Sequence, residues 1–144
     1  MKMRIIQLCC LAILVLTCAG PAAAQETSIS LAGTWQFRLD PDNVGVDQAW
    51  FAQTLDDTVT LPGTTDENKK GVLKNEARED RLSRVWYWKG PAWYQKRVTI
   101  PDAWAGKRVT LLLERSKNTR VWGDRVFCGW EDTLSAPQFF DVTQ

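Results

Sequence analysis

The chain has 144 residues, with 18 Lys+Arg, 17 Asp+Glu and no His. Without imidazole there is no Ser/His/Asp triad, no Cys/His dyad and no histidine zinc site. Near-neutral charge with no one-sided basic run argues against nucleic acid as the main partner, and the length allows one domain.

Residues 1–24 read as a secretory signal peptide. Lys2 and Arg4 precede an apolar run from Ile5 to Leu16 broken only by Gln7, and Ala22-Ala23-Ala24 offers a small-residue cleavage site before Gln25. The apolar run is shorter than the ~20 residues that span a bilayer, so a membrane anchor is the weaker reading. Acylation at Cys18 is weaker too, because Val15-Leu16-Thr17 is a poor approach to a lipid-attachment site. The expected location is periplasmic or extracellular. Cys9, Cys10 and Cys18 leave with the leader, so the processed chain keeps only Cys128 and no internal disulfide is available in an oxidising compartment. Stability must come from packing. All eight Trp, five Phe and two Tyr lie in residues 25–144.

Beyond the leader the periodicity is that of strands. Thr34 to Asp40 alternates, with Trp35, Phe37 and Leu39 on one face and Gln36 and Arg38 on the other, and Pro41-Asp42-Asn43 ends it. The spacing of Val46, Ala49, Trp50 and Phe51 predicts one or two helical turns within Val46 to Leu55. Asp57 to Leu61 is extended up to the turn dipeptide Pro62-Gly63. Asp66 to Arg84 is dense in charges of both signs and predicts a solvated loop with a helical turn near Glu76 to Leu82. Mixed signs make it a poor phosphate site.

The second half is more regular. Ala92 to Ile100 predicts a strand with Ala92, Tyr94, Val98 and Ile100 on one face, Lys96 being the exception, and with Trp93, Gln95, Arg97 and Thr99 on the other. Pro101 ends it and Asp102 to Gly106 forms a connection. Lys107 to Glu114 follows, with Val109, Leu111 and Leu113 facing inward. Thr119 to Trp122 and Val126 to Trp130 pair across Gly123-Asp124-Arg125, and Phe139 to Val142 begins a further strand. Short strands at even spacing, joined by Pro and Gly turns, describe an all-β antiparallel sandwich.

Four segments occur in order: Leu31-Ala32-Gly33-Thr34-Trp35-Gln36-Phe37, Leu61-Pro62-Gly63-Thr64-Thr65-Asp66-Glu67, the run from Gly90 to Pro101, and Phe140-Asp141-Val142-Thr143. Together they resemble the N-terminal sugar-binding, jelly-roll-like domain of glycoside hydrolase family 2, the group of β-galactosidases, β-glucuronidases and β-mannosidases. The resemblance covers most of residues 29 to 143 and implies a galactose-binding-like β-sandwich. Two departures stand out. The family carries an Asn-Gly or Asp-Gly turn where this chain has Gly123-Asp124-Arg125, and arginine disfavours positive φ, so a longer or differently made hairpin is expected there. The chain also stops at Gln144, where the family domain continues into at least one more strand. The expectation is therefore a domain lacking its last strand or strands, with an open edge prone to aggregation or dependent on a partner.

The resemblance also bears on catalysis. A retaining glycosidase holds two carboxylates about 5 to 5.5 Å apart. In the family these are glutamates on a (β/α)8 barrel downstream of this domain, and no residue here matches them. Glu131-Asp132 and Glu79-Asp80 are adjacent carboxylates, but neighbours in a strand point to opposite faces. No residue set calls for a metal or a cofactor.

Carbohydrate contact remains. Pyranose rings present polarised C–H faces that stack on aromatic rings. If Val85 to Lys89 is extended, Trp86 and Trp88 share a face, with Tyr87 on the other. The candidate sugar-binding set is Trp86 and Trp88 as a platform, with Arg84, Asp66, Glu67 and Asn68 hydrogen-bonding hydroxyls; Trp35, Trp93 and Trp122 read as packing residues. The leading expectation is a secreted, non-catalytic sugar-binding or scaffold domain of a family 2 glycosidase, partnered by carbohydrate and by downstream catalytic domains. The alternatives are a free-standing carbohydrate-binding module and a non-functional remnant.

Overall fold

The structure, a computed structural model, describes residues 27–74 and 84–143. Among the described residues nine strands form: β1 (Gly33–Leu39), β2 (Asp57–Leu61), β3 (Val72–Leu73), β4 (Trp86–Tyr87), β5 (Ala92–Gln95), β6 (Thr110–Leu113), β7 (Asn118–Gly123), β8 (Val126–Asp132) and β9 (Gln138–Asp141). All pairings are antiparallel: a three-stranded sheet in the order β2-β1-β5, and the pairs β3-β4, β6-β9 and β7-β8. The chain is thus an all-β, sandwich-type domain, as its periodicity predicts. No described helix is long and apolar enough to cross a membrane.

β1 is the central strand because both of its edges are paired, to β2 and to β5, and its faces are covered as well. On one face Phe37 is 0% exposed, stands opposite Tyr94 and meets that ring edge-on at 5.0 Å, while Trp35 pairs with the buried Val59. The alternating pattern reserves the other face for polar Gln36 and Arg38. Here the structure differs, since Arg38 stands opposite Trp93 and lays its guanidinium 4.7 Å from the Trp50 ring while its Nε donates to Asp56. An arginine stem covers apolar surface while its head stays wet, so a polar letter need not mark an open face.

The buried Asp40 fixes the end of this sheet. Its carboxylate accepts the backbone N–H groups of Val44 and Gly45, each at 2.8 Å, and the Trp93 indole N–H at 3.1 Å. Burial raises its pKa, but the hydrogen bonds from Gly45, Val44, Trp93 and Asn43 together outweigh it and hold the carboxyl below its ordinary 3.8. A side chain at Gly45 would meet the Trp93 ring, so only glycine admits this approach.

Three predicted elements take a different form. Val46 to Leu55 gives hydrogen-bonded turns, Gln48 N–H to Val44 O and Ala49 N–H to Val46 O, followed by the 3-10 turn Trp50–Ala52, with Ala49 at φ 51 keeping them from joining into one helix. The strand expected to reach Ile100 stops at Gln95: Lys96 Nζ donates to the carbonyls of Ala32 and Thr34, so a side chain continues the contact with β1 in place of the main chain. The β7–β8 hairpin is tight, since Gly123 pairs with Val126 and leaves Asp124 and Arg125 as a two-residue turn at φ 41 and φ 76. Both central residues thus take the left-handed form such a turn demands, arginine included. Glu76 to Leu82 and Glu79-Asp80 lie outside the described residues.

Candidate functional site

The candidate residues fall on two adjoining pieces, the turn after β2 and the β3–β4 hairpin. The turn is organised by Thr64 and Glu67: the Glu67 carboxylate accepts the Thr64 N–H at 2.7 Å and the Thr64 hydroxyl accepts the Glu67 N–H at 3.1 Å. This is a reciprocal capping box. It closes one helical turn that ends with Lys69 at φ 57, where Lys69 N–H bonds Asp66 O and Lys70 N–H bonds Thr65 O. The Thr-x-x-Glu spacing announces this turn, and reading the segment only by its charge misses it.

Two side chains anchor the turn to β2. Asn68 accepts the Thr60 N–H at 2.7 Å and donates to the carbonyls of Thr60 and Thr64. Lys70 donates to Asp57 at 2.6 Å, and that hydrogen bond draws the Asp57 carboxyl below its ordinary 3.8 against the opposing effect of burial. A third then reaches outward: Asp66 Oδ1 accepts the Trp86 N–H at 2.7 Å. β2, the capped turn and β4 are thereby joined in series.

On the hairpin, Val72 stands opposite Tyr87 and Leu73 opposite Trp86, and Lys74 N–H extends the ladder to Val85 O. Gly71, at φ 117, lies so close to the Tyr87 carbonyl that no side chain fits there. Val72, Leu73, Val85 and Tyr87 are exposed, whereas Trp86 and Trp88 are half-buried. Lys74 Nζ sits 4.3 Å from the Tyr87 ring, covering that face. The Trp88 indole N–H donates to the carbonyls of Gly90 and Pro91, which folds the ring back over Gly90 and fixes its tilt.

The structure therefore gives the six candidates different duties. Trp86 and Trp88 remain partly open on an edge hairpin, and Arg84 is exposed beside them. Glu67 and Asn68 make bonds that hold the turn, and Asp66 holds the hairpin to it. Trp93 and Trp122 lie in an aromatic cluster, their ring centroids 5.1 Å apart and Trp50 and Phe51 beside them. Glu131 and Asp132 stand opposite Thr119 and Asn118 as neighbours in β8, an arrangement that turns their carboxylates to opposite faces. Among the described residues no group of three or more His, Cys, Asp or Glu side chains is placed to hold a metal ion.

An antiparallel β-sandwich domain with an aromatic edge hairpin tied to its frame is the class that fold and site together define. Residues 29–144 match the model of the glycosyl hydrolases family 2 sugar-binding domain, and the chain belongs to that family. It is also similar to a beta-glucuronidase of Paenibacillus borealis, 32% identical over 81 residues. That match covers 56% of this chain and 12% of the relative's length.

Proposed function

We propose that this chain is the carbohydrate-contacting scaffold domain of an exported family 2 glycosyl hydrolase that cleaves β-glycosidic bonds. The hydrolysis itself falls to catalytic domains beyond the matched region, and the sandwich supplies sugar contact through the Trp86–Trp88 run, with Arg84 offering donors to hydroxyl groups. The family match and the similarity to a beta-glucuronidase support this reading. The observation that carries it is that Trp86 and Trp88 stay half-open on the β3–β4 hairpin, which is tied down by the 2.7 Å bond from the Trp86 N–H to Asp66 and by the Trp88 indole N–H on Gly90 and Pro91. Aromatic rings held at a surface in a set orientation stack on sugar at little entropic cost.

Isothermal titration of the purified chain against β-linked oligosaccharides tests it. Millimolar or tighter binding, weakened by both Trp86→Ala and Trp88→Ala, supports the reading; binding unaltered by either substitution removes the hairpin from it. Export through a leader ending at Ala24 is checked by N-terminal sequencing of the chain recovered outside the cytoplasm, which should begin at Gln25.

A further inference from the structure

A second aromatic surface lies on the β7–β8 hairpin. It belongs neither to the buried core nor to the Trp86–Trp88 run. Val121 pairs with Gly129 and Trp122 with Phe127, so adjacent residues of β7 face positions two apart on β8, and Gly129 takes φ 145. This is a β-bulge, an added residue that re-aims the side chains beyond it. In a regular strand Phe127 and Trp130, three positions apart, would point to opposite faces. The bulge returns both to one face, Trp130 opposite Arg120 and Phe127 opposite Trp122.

The result is an open groove of about 550 Å3 lined by Val46, Phe51, Arg120, Trp122, Phe127 and Trp130. Its floor is continuous with the core, because Trp122 stacks on Phe51 with an interplanar angle of 3° and packs against Trp93. Its walls stay open: Phe127 and Trp130 are each 54% exposed. The Trp130 indole N–H donates to Asn118 Oδ1 at 2.9 Å, which sets the ring's orientation before any ligand arrives. Two large rings left in water on one face forfeit the stabilisation of burial and form an apolar surface open to contact.

We propose that this groove is a second carbohydrate site, taking a pyranose ring against Trp130 and Phe127 with the Arg120 guanidinium donating to its oxygens. Flat, preset rings with a planar donor beside them match a sugar, which offers a polarised C–H face and a hydroxyl rim together. Among the described residues Arg120 is the only charged side chain in the lining, so the site tolerates neutral rings and favours carboxylate-bearing ones. The inference rests on the proposed carbohydrate contact and adds a surface to it.

The test is titration of the full chain with β-linked hexasaccharides of glucose, galactose, mannose and glucuronate, in wild type, Trp130→Ala, Arg120→Met and the Trp86→Ala/Trp88→Ala pair. Circular dichroism and the melting temperature confirm that each variant is folded. Trp130→Ala should weaken binding of at least one hexasaccharide by roughly tenfold, the scale of one stacked ring. Arg120→Met should weaken the glucuronate hexasaccharide more than the neutral ones, and both losses should persist when Trp86 and Trp88 are replaced. Binding that depends on Trp86 and Trp88 but ignores Trp130 overturns this inference and leaves the hairpin site standing. Binding that depends only on Trp130 supports the inference and removes the hairpin site. No binding to any hexasaccharide overturns both, and concentration-dependent dimerisation abolished by Trp130→Ala, in place of sugar binding, assigns the groove to a second copy.

Discussion

The β2-β1-β5 sheet and the β3–β4 hairpin use the same residue types for opposite ends. In the sheet, Asp40 is 1% exposed and takes the Trp93 indole N–H, so carboxylate and ring are both drawn inward. In the hairpin, Asp66 takes the backbone N–H of Trp86, so the carboxylate grips the main chain and leaves the ring's position to the strand. Trp88 likewise spends its indole N–H on carbonyls of its own turn, at Gly90 and Pro91. The sheet is held by a long ladder along β1, whereas the hairpin has two register pairs, Val72 with Tyr87 and Leu73 with Trp86. What a tryptophan does in this chain depends on which of its groups is bonded and to what, a property invisible in its one-letter code.

Substitutions in the two regions sharpen that contrast. Phe37→Ala should have the largest effect, about 4 kcal/mol lost in denaturant unfolding, because it opens a cavity under the central strand. A loss under 1 kcal/mol would show that Phe37 is not the centre of the sheet. Asp40→Ala should cost about 3 kcal/mol, since two backbone N–H groups and the Trp93 indole lose a charged acceptor. Its pH dependence has a definite sign. The folded carboxyl lies below its ordinary 3.8, so its contribution is complete above that pH and fades as pH falls through the lower folded value. The stability gap between wild type and Asp40→Ala should therefore narrow on acidification below pH 3.8.

Asp66→Ala should act locally, at about 1 kcal/mol. Amide exchange should quicken at Trp86 and Tyr87 while that of Phe37 is unchanged, and equal acceleration in both would mean the hairpin and sheet open as one unit. The smallest effect belongs to Asp56→Asn, which removes a mostly exposed partner of Arg38 and should change the melting temperature hardly at all.

Much of the frame is legible in the sequence, because alternation reports burial directly. Asp57–Leu61 has the bounds its pattern predicts, and β1, β7 and β8 lie within a residue or two of theirs. What alternation cannot show is which side chain replaces a backbone contact. Lys96, just past the end of β5, donates to two carbonyls of the β1 segment, and Arg38 covers Trp50 from a face that reads as polar. Nor does local propensity foretell Arg125 at φ 76, where the pairing of β7 with β8 overrides arginine's preference. At the site, Trp86 and Trp88 are evident from composition, but the roles of Asp66, Glu67 and Asn68 are not. A carboxylate bound to a turn N–H and one awaiting a sugar hydroxyl are the same letter. The β8 bulge hides the groove for a related reason, since Phe127 and Trp130 carry strand-incompatible spacing until the inserted residue is seen.

The proposed reading divides the tryptophans between a silent frame and an edge that contacts sugar. Its most direct test is the indole N–H spectrum of the nitrogen-labelled chain, titrated with a β-linked oligosaccharide that binds. The Trp86 and Trp88 indole signals should move with ligand while those of Trp35, Trp50 and Trp93 hold their positions. Movement of the Trp50 and Trp93 signals with those of Trp86 and Trp88 unmoved would contradict it.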